Sequence, residues 1–237
     1  MSWRLAEKNG LALIEYDALR ELGVRHGIVV TRAGGIIDEQ AVYAALGRDK
    51  KLVVTEQTHS DRVADVGPAF DAYYPRRVEV DGLMTARRDV VITIHTADCV
   101  PVLVASENAA LLVHAGWRGS AAGIAGRAVA AFTSRYSTAA AKLRAVVGPA
   151  ICQACYPVGD EVAARFTADV KQPRGDGAWG LDLKQENRRQ LLAAGIPDGQ
   201  ITVSEHCTRC QPELFHSYRG EGRLKGTMIA FMEVSDA

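Results

Sequence analysis

The chain of 237 residues is 48% hydrophobic and 24% charged, ordinary globular usage with length enough for one large domain or two small ones. Lys plus Arg equals Asp plus Glu at 28 each, so no global field exists to gather nucleic acid or an anionic membrane, and a small-molecule partner is expected. No apolar run approaches the roughly 20 residues of a membrane span; with no signal-peptide pattern behind Met1 and an odd count of five cysteines, a cytoplasmic setting without disulfides is expected.

In chain order, β-branched apolar runs predict strands at 11–15 and 27–31, followed by a helix over 38–46 that begins on an Asp38 cap and stops at Gly47. Strands follow at 52–56, 90–96, 100–105 and 110–114. A helix over 120–136 repeats Ile124, Ala128 and Phe132 on one face. After a strand at 143–147, a helix over 159–170 carries Val162, Phe166 and Val170 on one face. The glycine- and proline-rich segment 172–180 reads as a loop. A further helix over 182–194 has Asp182 and Gln185 at capping-box spacing, with Gly195 and Pro197 as its stop. Strands at 201–204 and 227–234 complete the order. It is not a regular βαβ alternation, so an α+β fold with mixed sheets, in one domain over 1–237, is expected.

The chemistry concentrates in three strand-end segments. His59 follows one apolar strand, Cys99 interrupts the longest apolar region, and His114 ends another strand. Two His and one Cys form a zinc ligand set that keeps a fourth position open for water, and the metal lowers the pKa of that water from 15.7 to about 7. Each residue alone fits a core or hydrogen-bonded role equally well, and the ligand gaps match no compact finger or ribbon.

Gly116-Trp117-Arg118-Gly119 leads into a helix whose free N–H groups, with the Arg118 fork, suit an anion such as phosphate beside the metal. Arg32 before Gly34-Gly35, and Tyr218-Arg219 near the carboxyl end, have the same ingredients, though glycines after a strand are usually only a turn. Asp98 adjoins the thiol. In an extended strand it points to the opposite face, and if the strand ends there it acts as a base or orients a ligand. Cys152-Gln-Ala-Cys155 and Cys207-Thr-Arg-Cys210 have the spacing of a structural Cys₄ zinc site. Because 51 residues separate the pairs and neither sits in a glycine-rich turn, they are not expected to form one. His26, His95 and His206 read as hydrogen-bonded structural residues.

Thr31-Arg32-Ala-Gly-Gly35, Gln57-Thr-His-Ser60, Asp81-Gly-Leu-Met-Thr85, Thr96-Ala-Asp-Cys-Val-Pro101, His114-Ala-Gly-Trp-Arg-Gly119, Cys155-Tyr-Pro-Val-Gly159 and Phe215-His-Ser-Tyr-Arg219 resemble, in order, the signature segments of the YfiH family. The resemblance implies an α/β domain of mixed sheets flanked by helices, akin to bacterial toxin cysteine hydrolases, with zinc on His59, Cys99 and His114. It implies Cys99, Asp98 and His114 at the reacting centre, Arg32 as a phosphate contact, and Gln57, Trp117, Arg118, Tyr218 and Arg219 around substrate. Pro157 and Gly220 depart from the family pattern, and Gly220 removes one possible anion contact.

Three activities compete. The first is a zinc-dependent purine nucleoside enzyme that phosphorolyses adenosine, inosine and methylthioadenosine and deaminates adenosine. The second is a hydrolase editing a peptidoglycan precursor, and the third is copper-dependent phenol oxidation. Copper could occupy the same ligands, but six His are too few for a copper cluster as well. Neither the oligomeric state nor the choice between nucleoside and peptidoglycan substrates follows from the sequence.

Overall fold

The computed structural model describes residues 3–31, 36–47, 49–70, 76–175, 177–223 and 225–235. The first part of the chain forms β1 (Trp3–Lys8), β2 (Leu11–Tyr16), α1 (Asp17–Arg20), β3 (Val24–Val29), α2 (Glu39–Leu46), β4 (Lys51–Thr55), β5 (Val63–Asp65), β6 (Arg76–Val78) and β7 (Gly82–Thr85). The middle forms β8 (Val90–Thr96), β9 (Val100–Ser106), β10 (Ala109–Ala115), α3 (Trp117–Ala121), α4 (Ile124–Tyr136) and β11 (Arg144–Val147). The remainder forms β12 (Pro157–Val158), α5 (Asp160–Ala163), β13 (Lys171–Pro173), β14 (Trp179–Leu181), α6 (Leu183–Ala193), β15 (Ile201–Val203), α7 (Tyr218–Glu221) and β16 (Met228–Val234).

Two mixed sheets dominate, ordered β1-β2-β3-β16-β8-β4-β6 and β15-β11-β9-β10-β7-β5. Their central strands are apolar on both faces, as strands covered on both sides must be. In β9, Leu103 and Ala105 face the layer shared with the first sheet, whereas Val102 and Val104 face α4 and α6. In β16, Ala230 and Met232 enter the shared layer, and Ile229 and Phe231 pack with Val42 and Tyr43 of α2. The result is a helix, sheet, sheet, helix stack of α+β type, in agreement with the expected class.

Local chemistry explains the elements. Asp38 caps α2 by accepting the Gln40 and Ala41 amides, and Asp182 caps α6 by accepting that of Gln185. Asn9-Gly10 closes the β1–β2 hairpin, which the sequence reading overlooked because exposed β1 has no β-branched residue and its Leu5-Ala6 and Glu7-Lys8 pairs break the alternation of a strand. The predicted helix over 120–136 is two helices. The chain breaks at Gly123, whose φ of 80° lies in the left-handed region. The predicted helix over 159–170 is one turn, α5, followed by a 3-10 turn at Ala168–Val170. Phe166 and Val170 are still buried, but extended Thr167 interrupts the helical backbone. Part of the 172–180 loop is the β13–β14 hairpin, itself paired to β12. No helix among the described residues is long and apolar enough to cross a membrane.

Candidate active site

Three chain segments at or just beyond strand ends converge. His59 lies in the loop after β4, Cys99 at the bend between β8 and β9, and His114 near the end of β10, and one ligand atom from each falls within 4.8 Å of the others. Thus the metal ligands expected from the sequence do meet. Among the described residues they form one of two groups of His, Cys, Asp or Glu side chains close enough to share an ion.

The organiser of this cluster is Asp81, just before β7, which the sequence reading gave no role. Its fully buried carboxylate accepts the His59 amide at 3.0 Å, the Ser60 amide at 2.6 Å, the Ser60 hydroxyl at 2.7 Å and His114 Nδ1 at 2.8 Å. The loop from Thr58 to Ser60 therefore wraps around one anion, and His59 takes a left-handed φ of 58° that aims its ring at Cys99. With its Nδ1–H held by a carboxylate, His114 keeps Nε2 for the cluster, the carboxylate–histidine arrangement that orients metal ligands. The only residue-level signal was an acidic residue directly before an apolar strand, which spacing alone could not connect to two histidines.

Electrostatics match this geometry. Burial pushes the Cys99 thiol up, but the charge of His114 and hydrogen bonds from His114 and His59 override it and bring the thiol down to about 6. Burial pushes His114 down, and the Cys99 thiolate with Asp81 reverses this, raising it to about 9. Burial likewise opposes ionisation of Asp81, yet His114 and Ser60 hold its carboxyl well below the usual carboxylate range. A thiolate, two imidazoles and a carboxylate behind one of them suit a zinc ion. Gly116 leaves the necessary space, because a Cβ there would stand 2.9 Å from the His59 ring and 3.1 Å from Cys99 Sγ.

The cluster lies in a cleft of about 760 Å³ that also receives Asp98, Gln57, Trp117, Arg118, Tyr218 and Arg219. Their parts differ from the expectation in several respects. Asp98 adopts φ of 94°, a conformation costing roughly 1–3 kcal/mol in a non-glycine residue. Its carboxylate accepts Thr208 and Ser217 hydroxyls at 2.6 and 2.7 Å and the Arg219 amide at 2.8 Å. It thereby anchors the segment carrying Tyr218 and Arg219, an orienting part of the kind the sequence offered beside that of a base. Gln57, expected beside substrate, commits its amide to the backbone of His95, accepting at 2.7 Å and donating at 2.7 Å, and so extends the β4–β8 pairing. Helix α3 starts at Trp117 directly after Gly116 and is five residues long. The Arg118 guanidinium stacks on Trp117 at 4.4 Å, and that of Arg219 stacks on Tyr156 at 5.0 Å. Tyr156 was not foreseen. Arg32 lies outside the described residues.

Four histidines lie outside the cluster. His26 bonds Val24 O and the Tyr16 amide, His206 bonds Gln211 and His216 bonds Glu221, while His95 bonds Tyr43 and Thr227 at the wall of the same cleft. The spacing argument against a Cys₄ site does not hold, since Cys152, Cys155, Cys207 and Cys210 converge despite their separation. The reason is topological. Strands β11 and β15 pair in parallel, a parallel pair requires a long crossover, and a bridge between Ala150 and Cys207 continues the pairing to the cysteines. The separation of 51 residues is that crossover.

The chain is 43% identical over 197 residues to purine nucleoside phosphorylase YlmD of Geobacillus stearothermophilus, covering 77% of this chain and 72% of that protein. It is 35% identical over 236 residues to adenosine deaminase RL5 of an unknown prokaryotic organism, covering 92% and 84%. The crystal structure of YlmD from Geobacillus stearothermophilus superposes with a TM-score of 0.84 at 29% identity, covering 99% of this chain and 100% of that one. The Bacillus licheniformis hypothetical protein YfiH does so with a TM-score of 0.82 at 30% identity, covering 98% of each. The resemblance to the YfiH proteins thus extends through the whole fold, and since the model of the family described as multi-copper polyphenol oxidoreductase laccase matches residues 37–235, the chain belongs to that family.

Proposed function

We propose that this chain is a zinc-dependent purine nucleoside enzyme that phosphorolyses adenosine, inosine and methylthioadenosine and hydrolytically deaminates adenosine. The observation that carries the reading is the His59–Cys99–His114 cluster, braced by Asp81, in a chain whose relatives are named for both activities. Zinc held there would supply a Lewis acid and a water activated near neutral pH.

The chain's own groups suit the two substrates. Deamination exchanges the exocyclic amine of the purine for a water oxygen, and phosphorolysis replaces the bond from ribose C1′ to the base nitrogen by a bond to phosphate. Trp117 and Tyr156 offer aromatic faces to the base, while the guanidinium groups stacked on them bring positive charge to the same cleft. Arg32 is assigned to phosphate, Tyr218 and Arg219 to the substrate rim, and Asp98 to fixing that rim through Ser217 and the Arg219 amide. Without metal, Cys99 and His114 form a thiolate–imidazolium pair at neutral pH, and binding zinc would displace the proton from His114 Nε2 and leave the thiolate as a ligand. The engagement of the other histidines outside the cluster weighs against a multi-copper centre.

The test is mass-spectrometric product analysis on purified, metal-quantified protein given adenosine with and without phosphate. Adenine and ribose 1-phosphate should appear only with phosphate, and inosine in both reactions. Absence of all three, with turnover of nucleotide-linked muramyl amino acids, would reassign the site to the peptidoglycan precursor.

A further inference from the structure

Cys152, Cys155, Cys207 and Cys210 bring their four sulfurs within 4.8 Å of one another. We propose that these four cysteines bind a second zinc ion as a structural tetrathiolate centre. A tetrahedral zinc with Zn–S bonds of about 2.3 Å sets its sulfurs about 3.8 Å apart. The gathering observed is of that size, with all four sulfurs within 4.8 Å of one another and Cys155 Sγ and Cys210 Sγ at 3.4 Å. Each C-x-x-C pair lies on a tight turn: the Cys155 amide donates to Cys152 O at 3.0 Å, and the Gln211 amide to Cys207 O at 3.2 Å. The Cys152 amide also donates to Cys207 Sγ at 3.3 Å, a bond that favours a thiolate there and ties one pair to the other.

The surroundings fit the charge of such a centre. Binding zinc sends the four thiol protons to solvent and leaves a dianion, which needs compensation in a half-buried site. The ammonium of Lys184, itself buried, donates to Ser204 O at 2.8 Å and His206 O at 3.0 Å on the strand end that leads into Cys207. Arg209, inside the second pair, donates to Cys155 O of the first at 3.2 Å. Four protein ligands close the coordination shell, so the ion holds structure and takes no substrate. What it holds is one wall of the cleft. Tyr156 follows Cys155 directly, and Thr208, next to Cys207, donates to the Asp98 carboxylate that fixes Arg219.

Elemental analysis of the protein purified with reductant and without chelator tests the assignment. Wild type should contain two zinc ions per chain, and both Cys99→Ala and Cys210→Ser should contain one. Cys210 is exposed, so serine there leaves packing intact. A second readout uses the Cys99→Ala chain, stripped and titrated with cobalt(II): one equivalent should develop intense thiolate-to-cobalt absorption, which Cys210→Ser on the same background abolishes. The proposal is overturned by a zinc content that Cys210→Ser does not change, by iron in place of zinc, or by disulfides among the four cysteines in the reductant-purified protein. None of these readouts depends on which substrate the other site takes.

Discussion

The carboxylate of Asp81 accepts His114 Nδ1–H at 2.8 Å while accepting the amide of His59 at 3.0 Å, so one buried anion positions both imidazoles of the cluster. Asparagine cannot supply that charge and has one acceptor oxygen for the same donors. Asp81→Asn should therefore weaken zinc binding on the order of 10- to 100-fold, the usual cost of losing such a partner. Competition with a chromophoric chelator measures it. Affinity equal to wild type would show that His59 and His114 are held by the strands alone.

Without metal, the Cys99 thiol is held down at about 6 by its histidine neighbours despite burial, and His114 is raised to about 9. Between those values the metal-free pair is a thiolate beside an imidazolium, so alkylation of Cys99 in stripped protein should rise with pH through a midpoint near 6, an apparent value belonging to the pair. Iodoacetamide labelling read by peptide mass spectrometry follows it. A midpoint near the ordinary thiol value of 9.0 would mean that the imidazoles do not reach the sulfur.

The three donors on Asp98 make it an anchor for Tyr218 and Arg219. Asp98→Asn tolerates the positive φ, as asparagine commonly does, but cannot accept all three bonds. KM for nucleoside or phosphate should rise while kcat stays within about tenfold and zinc content is unchanged. A fall in kcat by several orders of magnitude at constant KM would instead assign Asp98 the role of a base that the sequence also offered.

Arg32 is assigned to phosphate by its sequence context, after a strand and before two glycines. A charged hydrogen bond of this kind contributes about 1.5 to 3 kcal/mol. Arg32→Ala should reduce inosine phosphorolysis on the order of ten- to a hundredfold and adenosine deamination much less. Comparable loss of both rates would make Arg32 a residue shared by both reactions.

The meeting of His59, Cys99 and His114 was legible because each lies at or just beyond the end of an apolar strand, and strand ends gather at a sheet edge. Asp81 was not, since a buried carboxylate that serves two loops leaves no periodic or spacing signature. The convergence of the four cysteines was not legible for a related reason: distance along the chain says little where two strands pair in parallel across a crossover, as β11 and β15 do. Apolar positions were read more reliably than backbone shape. Phe166 and Val170 are buried as a helix would bury them, yet they sit on turns, because a short segment can reach the core without completing hydrogen-bonded helix. Gln57 lines the cleft as expected, but its amide belongs to the backbone of His95, a use that sequence could not distinguish from substrate binding.

The most direct measurement is zinc content together with adenosine and inosine turnover in wild type and Cys99→Ala. Removal of Cys99 takes away the one thiolate of the His₂Cys set and leaves the C-x-x-C cysteines untouched. The mutant should lose one zinc per chain and at least about a thousandfold in both reactions, a difference of roughly 4 kcal/mol in transition-state stabilisation. Unchanged zinc content with both activities intact would contradict the assignment of the metal and of the nucleoside chemistry to this site.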